Sequence, residues 1–317
     1  MAEIERPIIL GTGQLGLTIM EQLTEHGISP RMVNRSGQIG EALPEGVTVA
    51  AADLYDPANV KAVCAGADVV FLCAQPPYTE WPEKFPPLID SVLTGLHESG
   101  TTLVFGDNLY MYGPTGGAPI SEDLPYAATG HKGKTRALIA EQLLNAHAPG
   151  ELNVVIGRGS DFFGPRVTDS SVGDLLFAAA LEGKTVNLLG DIDLPHTYTY
   201  IRDFARALIT LAEAPEAYGQ AWHVPNAPTQ STRAFVEQVE AQIGHPVKIR
   251  TAGKTMLTIL GWFNPMLGEM KEMYYEFSEP YIVDDSKYRA TFGNGATPHE
   301  EAIRATVAWY QSRADEG

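Results

Sequence analysis

Residues 8–20 read Ile8-Ile9-Leu10-Gly11-Thr12-Gly13-Gln14-Leu15-Gly16-Leu17-Thr18-Ile19-Met20. The stretch is a short apolar run followed by three glycines and then by apolar residues at helical spacing. This order predicts a strand, a tight turn and a helix. The first glycine permits the turn, the second lets the backbone approach a pyrophosphate, and the third lets the helix pack close to the strand. Glycine-rich turns also close ordinary strand–helix corners, but this context is the one that a dinucleotide fingerprint requires. The stretch therefore predicts a dinucleotide site formed by Gly11, Gly13, Gln14, Leu15 and Gly16.

The composition is that of a globular protein with one large domain or two. The 317 residues are 44% hydrophobic and carry a formal net charge of −17, which on average repels nucleic acid and anionic membrane surfaces. The sequence shows no apolar run of membrane-spanning length and no secretory leader. Its two cysteines, Cys64 and Cys73, are expected to be core thiols, and no metal-ligand spacing of Cys and His is present. We therefore expect a cytoplasmic protein with a small-molecule substrate and no nucleic-acid, membrane or metal partner.

The end of the second predicted strand indicates which dinucleotide is bound. Arg31-Met32-Val33 delivers Asn34, Arg35 and Ser36 to that end. An acidic residue here binds the ribose hydroxyls of NAD, whereas a nearby arginine suits the 2′-phosphate of NADP. Because this end carries no acid, the sequence favours NADP(H) over NAD(H). A solvated turn with a chance arginine explains the same residues.

Two later stretches extend the predicted cofactor site. The third strand is followed by Asp53 and Leu54, and the Asp53 carboxylate either meets the adenine edge or caps the next helix. The fourth strand is almost wholly apolar and ends at Ala74 and Gln75, with Tyr78 in the loop that follows. Loops at the carboxyl ends of parallel strands are where α/β sheets bind ligands. We therefore expect Asp53, Leu54, Ala74 and Gln75 to contact the cofactor and Tyr78 to contact the substrate.

Strands and helices alternate through the first half of the chain, which predicts a parallel sheet. The expected fold class is α/β, a Rossmann doubly wound parallel sheet with a smaller C-terminal substrate-binding lobe. We expect residues 1–165 to form the NADP-binding domain, with 196–228 returning to it. Residues 166–195 and 229–317 are then expected to form most of the lobe.

Further motifs are shared with a known family. They are Tyr112-Gly113 after the fifth strand, Arg158 with Phe163-Gly164-Pro165 after the sixth, Tyr200-Ile201-Arg202-Asp203-Phe204-Ala205, and Phe292-Gly293 followed by Thr297-Pro298. With them the chain resembles, over nearly its whole length, the extended short-chain dehydrogenase/reductase family, which includes epimerases and dehydratases. The resemblance implies a nicotinamide cofactor, hydride transfer and a homodimer formed through the helices after the fourth and fifth strands.

The chain departs from this family where the family carries its chemistry. Members place a serine four residues before the tyrosine of the Tyr-Gly motif, and this position holds Asn108. They also place a tyrosine four residues before a lysine on the following helix. If that lysine is Lys134 the tyrosine position holds Gly130, and if it is Lys132 the position holds Ala128. We favour Lys134, whose distance along the chain from the sixth-strand motif is the more usual one, and expect it to bind the nicotinamide ribose.

Without the family tyrosine, the proton of the reaction must come from another group. Tyr126, Tyr110, Tyr78 and His131 lie in loops that we expect to line the cleft. Loss of a general acid costs about 10²- to 10⁴-fold in such a step. We assign Tyr126 as the replacement donor, and we expect the amide of Asn108 to donate a hydrogen bond to a substrate heteroatom.

A second way to dispense with the tyrosine is a substrate that carries its own proton. A protonated imine needs only hydride, and Asp107 or Asp161 would stabilise its cation. The working prediction is an NADPH-dependent reduction of C=O or C=N in a fairly apolar small molecule. Its catalytic set is Asn108, Lys134, Tyr126 and Asp107. The alternatives are a catalytically silent NADP(H)-binding regulator and a nucleotide-sugar epimerase or dehydratase.

Methionines and aromatic residues are concentrated between Met256 and Phe277. Their spacing suits helices interrupted at Pro265, and such side chains adapt to irregular apolar ligands. The stretch is either a lid over a hydrophobic substrate, or plain core packing or a subunit contact. The residues assigned to the substrate are Tyr78, Tyr110, Phe162, Trp262 and Phe263.

Overall fold

The computed structural model describes residues 3–261 and 265–315. The chain packs into two compact units. The first takes in Met1–Met111, His131–Arg158 and Phe204–Val224, and the second takes in Tyr112–Gly130, Gly159–Asp203 and Pro225–Gly317. Trp262 and Phe263 lie outside the described residues, so their predicted contact with substrate rests on the sequence alone.

The strands are numbered in chain order. They are β1 Pro7–Leu10, β2 Arg31–Asn34, β3 Thr48–Ala51, β4 Val69–Leu72, β5 Thr102–Asp107, β6 Asn153–Arg158, β7 Phe162–Phe163, β8 Val186–Leu189, β9 Pro195–His196, β10 Thr199–Tyr200, β11 Ala221–His223, β12 Gln230–Ser231 and β13 Ile249–Ala252.

The helices are numbered in the same way. They are α1 Gln14–Glu25, α2 Pro57–Val63, α3 Trp81–Gly95, α4 His131–Asn145, α5 Phe177–Leu181, α6 Ile201–Ala212, α7 Thr232–Ile243, α8 Lys254–Gly261, α9 Pro265–Met270, α10 Ser286–Phe292 and α11 His299–Asp315. A short 3-10 turn at Tyr78–Glu80 precedes α3, and another at Tyr110–Tyr112 follows β5.

The first unit is built on a seven-stranded sheet with the order β11-β6-β5-β4-β1-β2-β3. Its strand pairings are parallel. β1 and β4 are buried along their whole lengths, as expected for central strands covered on both faces. From β1, the next two strands are added on one side of the sheet, and β4 and the later strands are added on the other side. The topological switch point, where open α/β sheets bind ligands, therefore lies between β1 and β4. The predicted Rossmann-type α/β fold is confirmed.

Local sequence explains where the helices flanking this switch point begin. α1 starts after Gly13, and its buried positions include Gly16, Ile19 and Leu23, which share one face at helical spacing. α2 starts at Pro57 because the Asp56 side chain accepts a hydrogen bond from the Ala58 nitrogen at 2.9 Å. The helix cap is therefore Asp56, and the capping role considered for Asp53 is wrong.

The second unit joins short strand pairs to an aromatic core. β7 pairs with β10, β9 with β12, and β8 with β13. Phe163 and Phe235 meet edge to face with ring centroids 4.9 Å apart, and Phe177 stacks on Tyr310 at 5.6 Å. These rings, with the helical residues packed on them, form a core that belongs to this unit.

The described residues of the methionine-rich stretch between Met256 and Phe277 differ in burial. Met256 is 48% exposed, whereas Leu257 and Met273 are buried. The lid over a hydrophobic substrate therefore stays a prediction.

Two whole-chain features complete the description. None of the described helices is long and apolar enough to cross a bilayer. Cys64 and Cys73 are free thiols, and burial raises the pKa of each to about 12. At neutral pH both thiols are therefore protonated and poorly nucleophilic.

Candidate dinucleotide and active site

The turn between β1 and α1 consists of glycines that its surroundings require. Gly11 has φ of +114°, and a Cβ there would lie 2.6 Å from the Ala74 nitrogen. A Cβ on Gly16 would clash with the Gly11 carbonyl oxygen. At Gly13, by contrast, a Cβ would meet nothing within 4 Å, and Gly13 is the N-cap of α1 with no side-chain cap. The first turn of α1 thus offers N–H groups beside open space, which suits a bound phosphate.

The loop after β4 is held against this turn. The N–H groups of Cys73 and Ala74 both donate to the Leu10 carbonyl oxygen, at 2.9 and 2.7 Å. Gln14 and Leu15 form the half-buried start of α1. Leu15 packs over Gly106 of β5, where a Cβ would lie 2.6 Å from its Cδ2 atom. The carboxyl ends of β1, β4 and β5 therefore meet at the glycine turn.

Asn34 connects the end of β2 to the same turn. Its Nδ2 donates to Thr12 Oγ1 at 3.0 Å, and its Oδ1 accepts from the Gly37 nitrogen at 2.7 Å. Arg35 and Ser36 are exposed. Asn34 thus shapes the loop, while Arg35 and Ser36 are accessible to a ligand.

Asp53 and Leu54 follow β3 with different surroundings. Asp53 is exposed, and its Oδ1 accepts a hydrogen bond from the Tyr55 nitrogen at 3.1 Å. Leu54 is buried, with 8% of its surface exposed. The contact of Asp53 with an adenine edge stays a prediction.

A buried polar cluster lies where β4, β5 and β6 end. Asp107 is 4% exposed, with Oδ1 3.1 Å from Arg136 Nη1 and Oδ2 3.4 Å from Arg158 Nε. The register of β5 and β6 places Asp107 opposite Arg158, and Arg136 comes from the second turn of α4. Arg136 also donates from Nη2 to Gln75 Oε1 at 3.1 Å, and its guanidinium carbon lies 4.0 Å from the Trp81 ring centroid.

These contacts define what Asp107 does. Two guanidinium groups compensate its charge, so the carboxylate holds the cluster together instead of facing a cationic substrate. Burial lowers the pKa of Arg136, and the neighbouring Asp107 opposes that shift. The predicted stabilisation of a substrate cation by Asp107 finds no support in this geometry.

Asn108, at the end of β5, is half-buried. Its backbone N–H donates to Asp107 Oδ1 at 2.9 Å, and its own Oδ1 accepts from the Tyr110 nitrogen at 3.2 Å. The side-chain oxygen is thus used to close the turn. The group that fits the predicted hydrogen bond to a substrate heteroatom is the Nδ2 donor.

The two candidate lysines lie on different faces of α4. Lys132 is 1% exposed, and its Nζ donates to the Tyr78 carbonyl oxygen at 2.6 Å. The same Nζ lies 3.9 Å from the centroid of the Tyr78 ring. Lys134 is exposed. The geometry favours Lys132 over the predicted Lys134, because Lys132 reaches the loop that borders the glycine turn.

The predicted aromatic residues are divided between the two units. Tyr78 and Tyr110 belong to the first, where Trp81 packs against both rings at centroid distances of 4.8 and 6.1 Å. Tyr126 and Phe162 belong to the second. There Tyr126 packs edge-on against Tyr112 at 5.8 Å, and Phe162 lies in β7. The assignment of Tyr126 as proton donor stays a prediction.

Arg136 and Trp81 are site residues that the sequence interpretation missed. The sequence of α4 contains a pattern that points to Arg136. Lys132 and Arg136 are four residues apart and therefore lie on one face of the helix. That face also carries three buried apolar residues, Ile139, Ala140 and Leu143. Cations on the apolar face of a helix must find partners inside the protein. That pattern singles out Lys132 and Arg136 from the neighbouring basic residue.

Comparison with known proteins identifies the class. Residues 8–224 match the NAD dependent epimerase/dehydratase family, and this range includes the glycine turn, the Asp107 cluster and both candidate lysines. The chain belongs to the NAD dependent epimerase/dehydratase family. The resemblance to extended short-chain dehydrogenases/reductases with epimerase and dehydratase members is thereby confirmed. No curated protein matches the sequence significantly.

Solved structures share the fold at low sequence identity. A Bacillus cereus UDP-glucuronic acid 4-epimerase, in complex with UDP-glucuronic acid and NAD, is 16% identical with a TM-score of 0.78, over 97% of this chain and 99% of the other. A Thermus thermophilus UDP-glucose 4-epimerase, complexed with NAD, is 19% identical with a TM-score of 0.76, over 96% and 99%. A Methanothermobacter thermautotrophicus epimerase is 15% identical with a TM-score of 0.81, over 99% and 94%. At these identities the likeness establishes the fold.

Proposed function

We propose that this protein binds a nicotinamide dinucleotide at the glycine turn and uses it for oxidation and reduction at an oxygen-bearing carbon of a small molecule. The observation that carries the proposal is the turn itself. Gly11 and Gly16 are required by packing, whereas Gly13 borders open space at the uncapped start of α1. Membership of a family described as NAD dependent supports the same cofactor class.

The residues around the turn fit such a cofactor. Gly11, Gly13, Gln14, Leu15 and Gly16 would hold the pyrophosphate, and Asp53 and Leu54 the adenine side. Ala74, Gln75 and a lysine of α4 would border the nicotinamide side. A bound nicotinamide supplies or accepts a hydride. The protein residues bind and orient the reactants and handle the proton.

An epimerase or dehydratase reaction is the first candidate within this proposal. It is supported by the family match and by the fold shared with nucleotide-sugar epimerases. Such a reaction oxidises and re-reduces one substrate, so the cofactor is regenerated in each turnover. The predicted nucleotide-sugar epimerase or dehydratase alternative therefore fits the comparisons better than a net reductase does.

Net reduction of C=O is the second candidate, and one observation favours it. The family tyrosine is replaced by Gly130 or Ala128, while Tyr78 is half-buried beside the ammonium of Lys132. One phenol is sufficient for the single proton that a net reduction needs. Reduction of C=N is less well supported, because Asp107 is already paired with two arginines.

We propose NADP(H) as the preferred dinucleotide. β2 ends in Asn34 instead of an acid, and Arg35 and Ser36 are exposed beside the loop that Asn34 shapes. The Bacillus cereus and Thermus thermophilus epimerases named above were solved with NAD, so this choice is specific to the residues of this chain. Arg35→Ala is expected to weaken NADPH binding much more than NADH binding. Equal weakening of both would remove the 2′-phosphate role of Arg35.

The cofactor proposal is tested by titrating the protein with NADPH and NADH while following nicotinamide fluorescence. Gly13→Ala should weaken binding at least about tenfold, because the added methyl occupies the space of a phosphate. It should leave the fold intact, since a Cβ there meets no protein atom within 4 Å. Gly253→Ala is the matched control, because its Cβ would make one ordinary contact of 3.9 Å. Unaltered binding by Gly13→Ala would contradict the proposal.

Turnover separates the candidate reactions. UDP-glucose and UDP-glucuronic acid are incubated with the protein and NAD or NADP, and the products are resolved chromatographically. Cyclohexanone and a cyclic imine are then offered with NADPH, and loss of its absorbance is followed. An epimer supports the first candidate, and NADPH consumption supports the second. Binding without any turnover favours the silent regulator, and no binding at all overturns the proposal.

A further inference from the structure

We infer that Tyr78 is the proton donor of this site and that Lys132 positions and activates it. The inference rests on the proposed function, because it names the group that exchanges a proton with substrate. In the family the donor is a tyrosine close to the start of α4, where this chain has Gly130 or Ala128. Here the inferred donor lies in the loop after β4. Four observations on the first unit support it.

The first observation is the position of Tyr78. It follows β4, the strand beside the topological switch point, in the loop whose Ala74 abuts Gly11. The Pro76 carbonyl oxygen accepts a hydrogen bond from Trp81 Nε1 at 3.2 Å, and Pro77 has a φ of −52°. Because prolines and an indole hydrogen bond restrict this loop, the tyrosine is preorganised at the predicted cofactor site.

The second observation is the partner of Tyr78. Lys132 Nζ lies 3.9 Å from the centroid of the Tyr78 ring and 5.6 Å from that of Trp81. It also donates to the Tyr78 carbonyl oxygen at 2.6 Å. The ammonium is thus bound to the backbone and to the ring of the same residue, which fixes the loop and the side chain together.

The third observation is that Lys132 occupies an unfavourable place for a lysine. It is 1% exposed and lies in the first turn of α4, where the helix dipole disfavours a cation. Burial of an ammonium carries a large desolvation cost as well. An exposed position for a lysine exists two residues later, at Lys134. A lysine buried against a tyrosine under these conditions is explained when its charge stabilises the phenolate that forms as the proton leaves.

The fourth observation concerns the other aromatic candidates. Tyr112 is 2% exposed, which leaves its hydroxyl little access to a ligand. Tyr126 lies in the second unit, packed on Tyr112. Tyr110 is half-buried against Trp81. Tyr78 combines partial exposure, a place at the switch point and direct contact with a buried ammonium.

The Tyr78 phenol gives up one proton and recovers one in each turnover. In the reducing direction, hydride adds to the carbonyl carbon while the Tyr78 O–H bond breaks and a new O–H bond forms on the substrate oxygen. The C=O π electrons become the electrons of that O–H bond, and the phenolate recovers a proton from water. In the oxidising direction the phenolate would remove the hydroxyl proton while the hydride leaves the same carbon for the oxidised nicotinamide of the proposed function. The Lys132 ammonium lowers the free energy of the phenolate.

Tyr78→Phe tests the donor, since it keeps the ring over Lys132 and removes the hydroxyl. We expect kcat on the substrate identified above to fall about 10²- to 10⁴-fold. The dissociation constant for NADPH should stay within about twofold, because the hydroxyl is not assigned to the cofactor. Tyr218→Phe is the control and should retain kcat, because the Tyr218 hydroxyl donates to the Ala212 carbonyl oxygen at 2.6 Å and is assigned to neither cofactor nor substrate. A Tyr78→Phe enzyme with kcat near that of the wild type would overturn the inference.

Lys132 is tested by a measurement that needs neither cofactor nor substrate. Ultraviolet difference absorption of each protein against its Tyr78→Phe counterpart isolates this residue among the 13 tyrosines. We expect its tyrosinate to form at lower pH in the wild type than in Lys132→Met, and Lys132→Arg to lie near the wild type. The nearby charges, Arg136, Asp107, Arg158 and the Glu80–Lys84 pair, are unaltered in all these proteins. An identical titration in Lys132→Met would overturn the role of Lys132.

The two levels of the proposal fail in different ways. If the wild type binds neither NADPH nor NADH, the proposed function fails and the donor assignment fails with it. If the wild type binds and turns over while Tyr78→Phe is unimpaired, the donor assignment alone fails. Loss of turnover in Tyr78→Phe with cofactor binding retained supports both.

Discussion

Each unit buries a carboxyl group beside other titratable residues, and the two units compensate it differently. In the first, Asp107 lies between Arg136 and Arg158, two permanent cations at 3.1 and 3.4 Å. In the second, Glu276 is 3% exposed and shares a side-chain hydrogen bond with Tyr281. Burial raises the pKa of Glu276 well above its ordinary value, and the nearby Asp161 adds to that shift. Asp107 is paired with two cations, whereas burial disfavours the charged form of Glu276.

The surroundings of Glu276 explain why a proton is retained there. His196 lies between the two acidic residues, with its Nδ1 3.2 Å from the Glu276 backbone oxygen and its Nε2 3.1 Å from Asp161 Oδ2. Burial also raises the pKa of Tyr281 well above its ordinary value. The imidazole therefore contacts Asp161, and the described contacts of the Glu276 carboxyl include no Lys or Arg. A buried carboxyl without a permanent cation favours its neutral form.

The two ways of burying a carboxyl group are suited to different tasks. A carboxylate between two guanidiniums fixes the ends of three strands. A carboxyl kept neutral by burial makes the stability of its unit depend on pH. The first is a rigid support for a site, and the second is a local pH-sensitive element.

The largest expected effect comes from removing the anion of the first cluster. Asp107→Asn removes the negative charge that Asp107 supplies to the buried Arg136 and Arg158, and we expect a loss of about 3–5 kcal/mol in the free energy of unfolding. Urea denaturation at neutral pH measures it. A loss no larger than that of an ordinary surface substitution would mean that the two arginines are compensated elsewhere. The contrast drawn between Asp107 and Glu276 would then not hold.

A smaller effect is expected when the cation is kept and its geometry is changed. Arg136→Lys retains a positive charge but loses the two-pronged contact with Asp107 and Gln75 and the stacking on Trp81. We expect a loss of about 1–3 kcal/mol by urea denaturation. Arg304→Lys, at an exposed position of α11, is the control. Equal stability of Arg136→Lys and the wild type would show that charge alone holds the cluster.

The pH dependence of stability tests the protonation of Glu276 in the second unit. The pKa of Glu276 is raised in the folded state, so its contribution to stability is fully present below the ordinary value of 4.5 and is lost as pH rises towards the folded value. The slope approaches about 1.4 kcal/mol per pH unit in that window. Glu276→Gln should remove this slope, so that the variant gains on the wild type as pH rises. Asp161, His196 and Tyr281 are present in both proteins, so the measurement is the difference between the two curves of stability against pH. Parallel curves would contradict the protonated state of Glu276.

The smallest effect is expected at an exposed pair with better geometry than either cluster. Arg233 contacts Asp193 with two nitrogens, at 2.5 and 3.0 Å, and both side chains are about half exposed. The hydrogen bond to Arg233 lowers the pKa of Asp193, yet solvent screens the pair. Asp193→Asn should leave the urea midpoint unchanged within error. A loss comparable to that of Asp107→Asn would show that geometry outweighs burial.

Much of the first unit follows from local rules that a sequence displays directly. The apolar run of β4 predicts a central strand because both of its faces are buried, and the spacing of Gly16, Ile19 and Leu23 predicts the buried face of α1. The roles of Gly11 and Gly16 follow from the turn, since no side chain fits there. These features depend on neighbours within a few residues, or on burial of a whole element, and the sequence is sufficient to determine them.

Residue roles in the site depended on which face of an element meets which loop. Spacing along the chain favoured Lys134, but the rotation of α4 about its axis buries Lys132 against Tyr78 and exposes Lys134. Asp107 followed from the end of β5, while its partners came from α4 and β6, 29 and 51 residues away along the chain respectively. The sequence alone determined the fold class and the glycine turn, and it predicted the absence of the family tyrosine. The tertiary structure alone decided the pairing of Asp107 and the contact of Lys132 with Tyr78, because buried charges take their partners from whatever elements packing brings together.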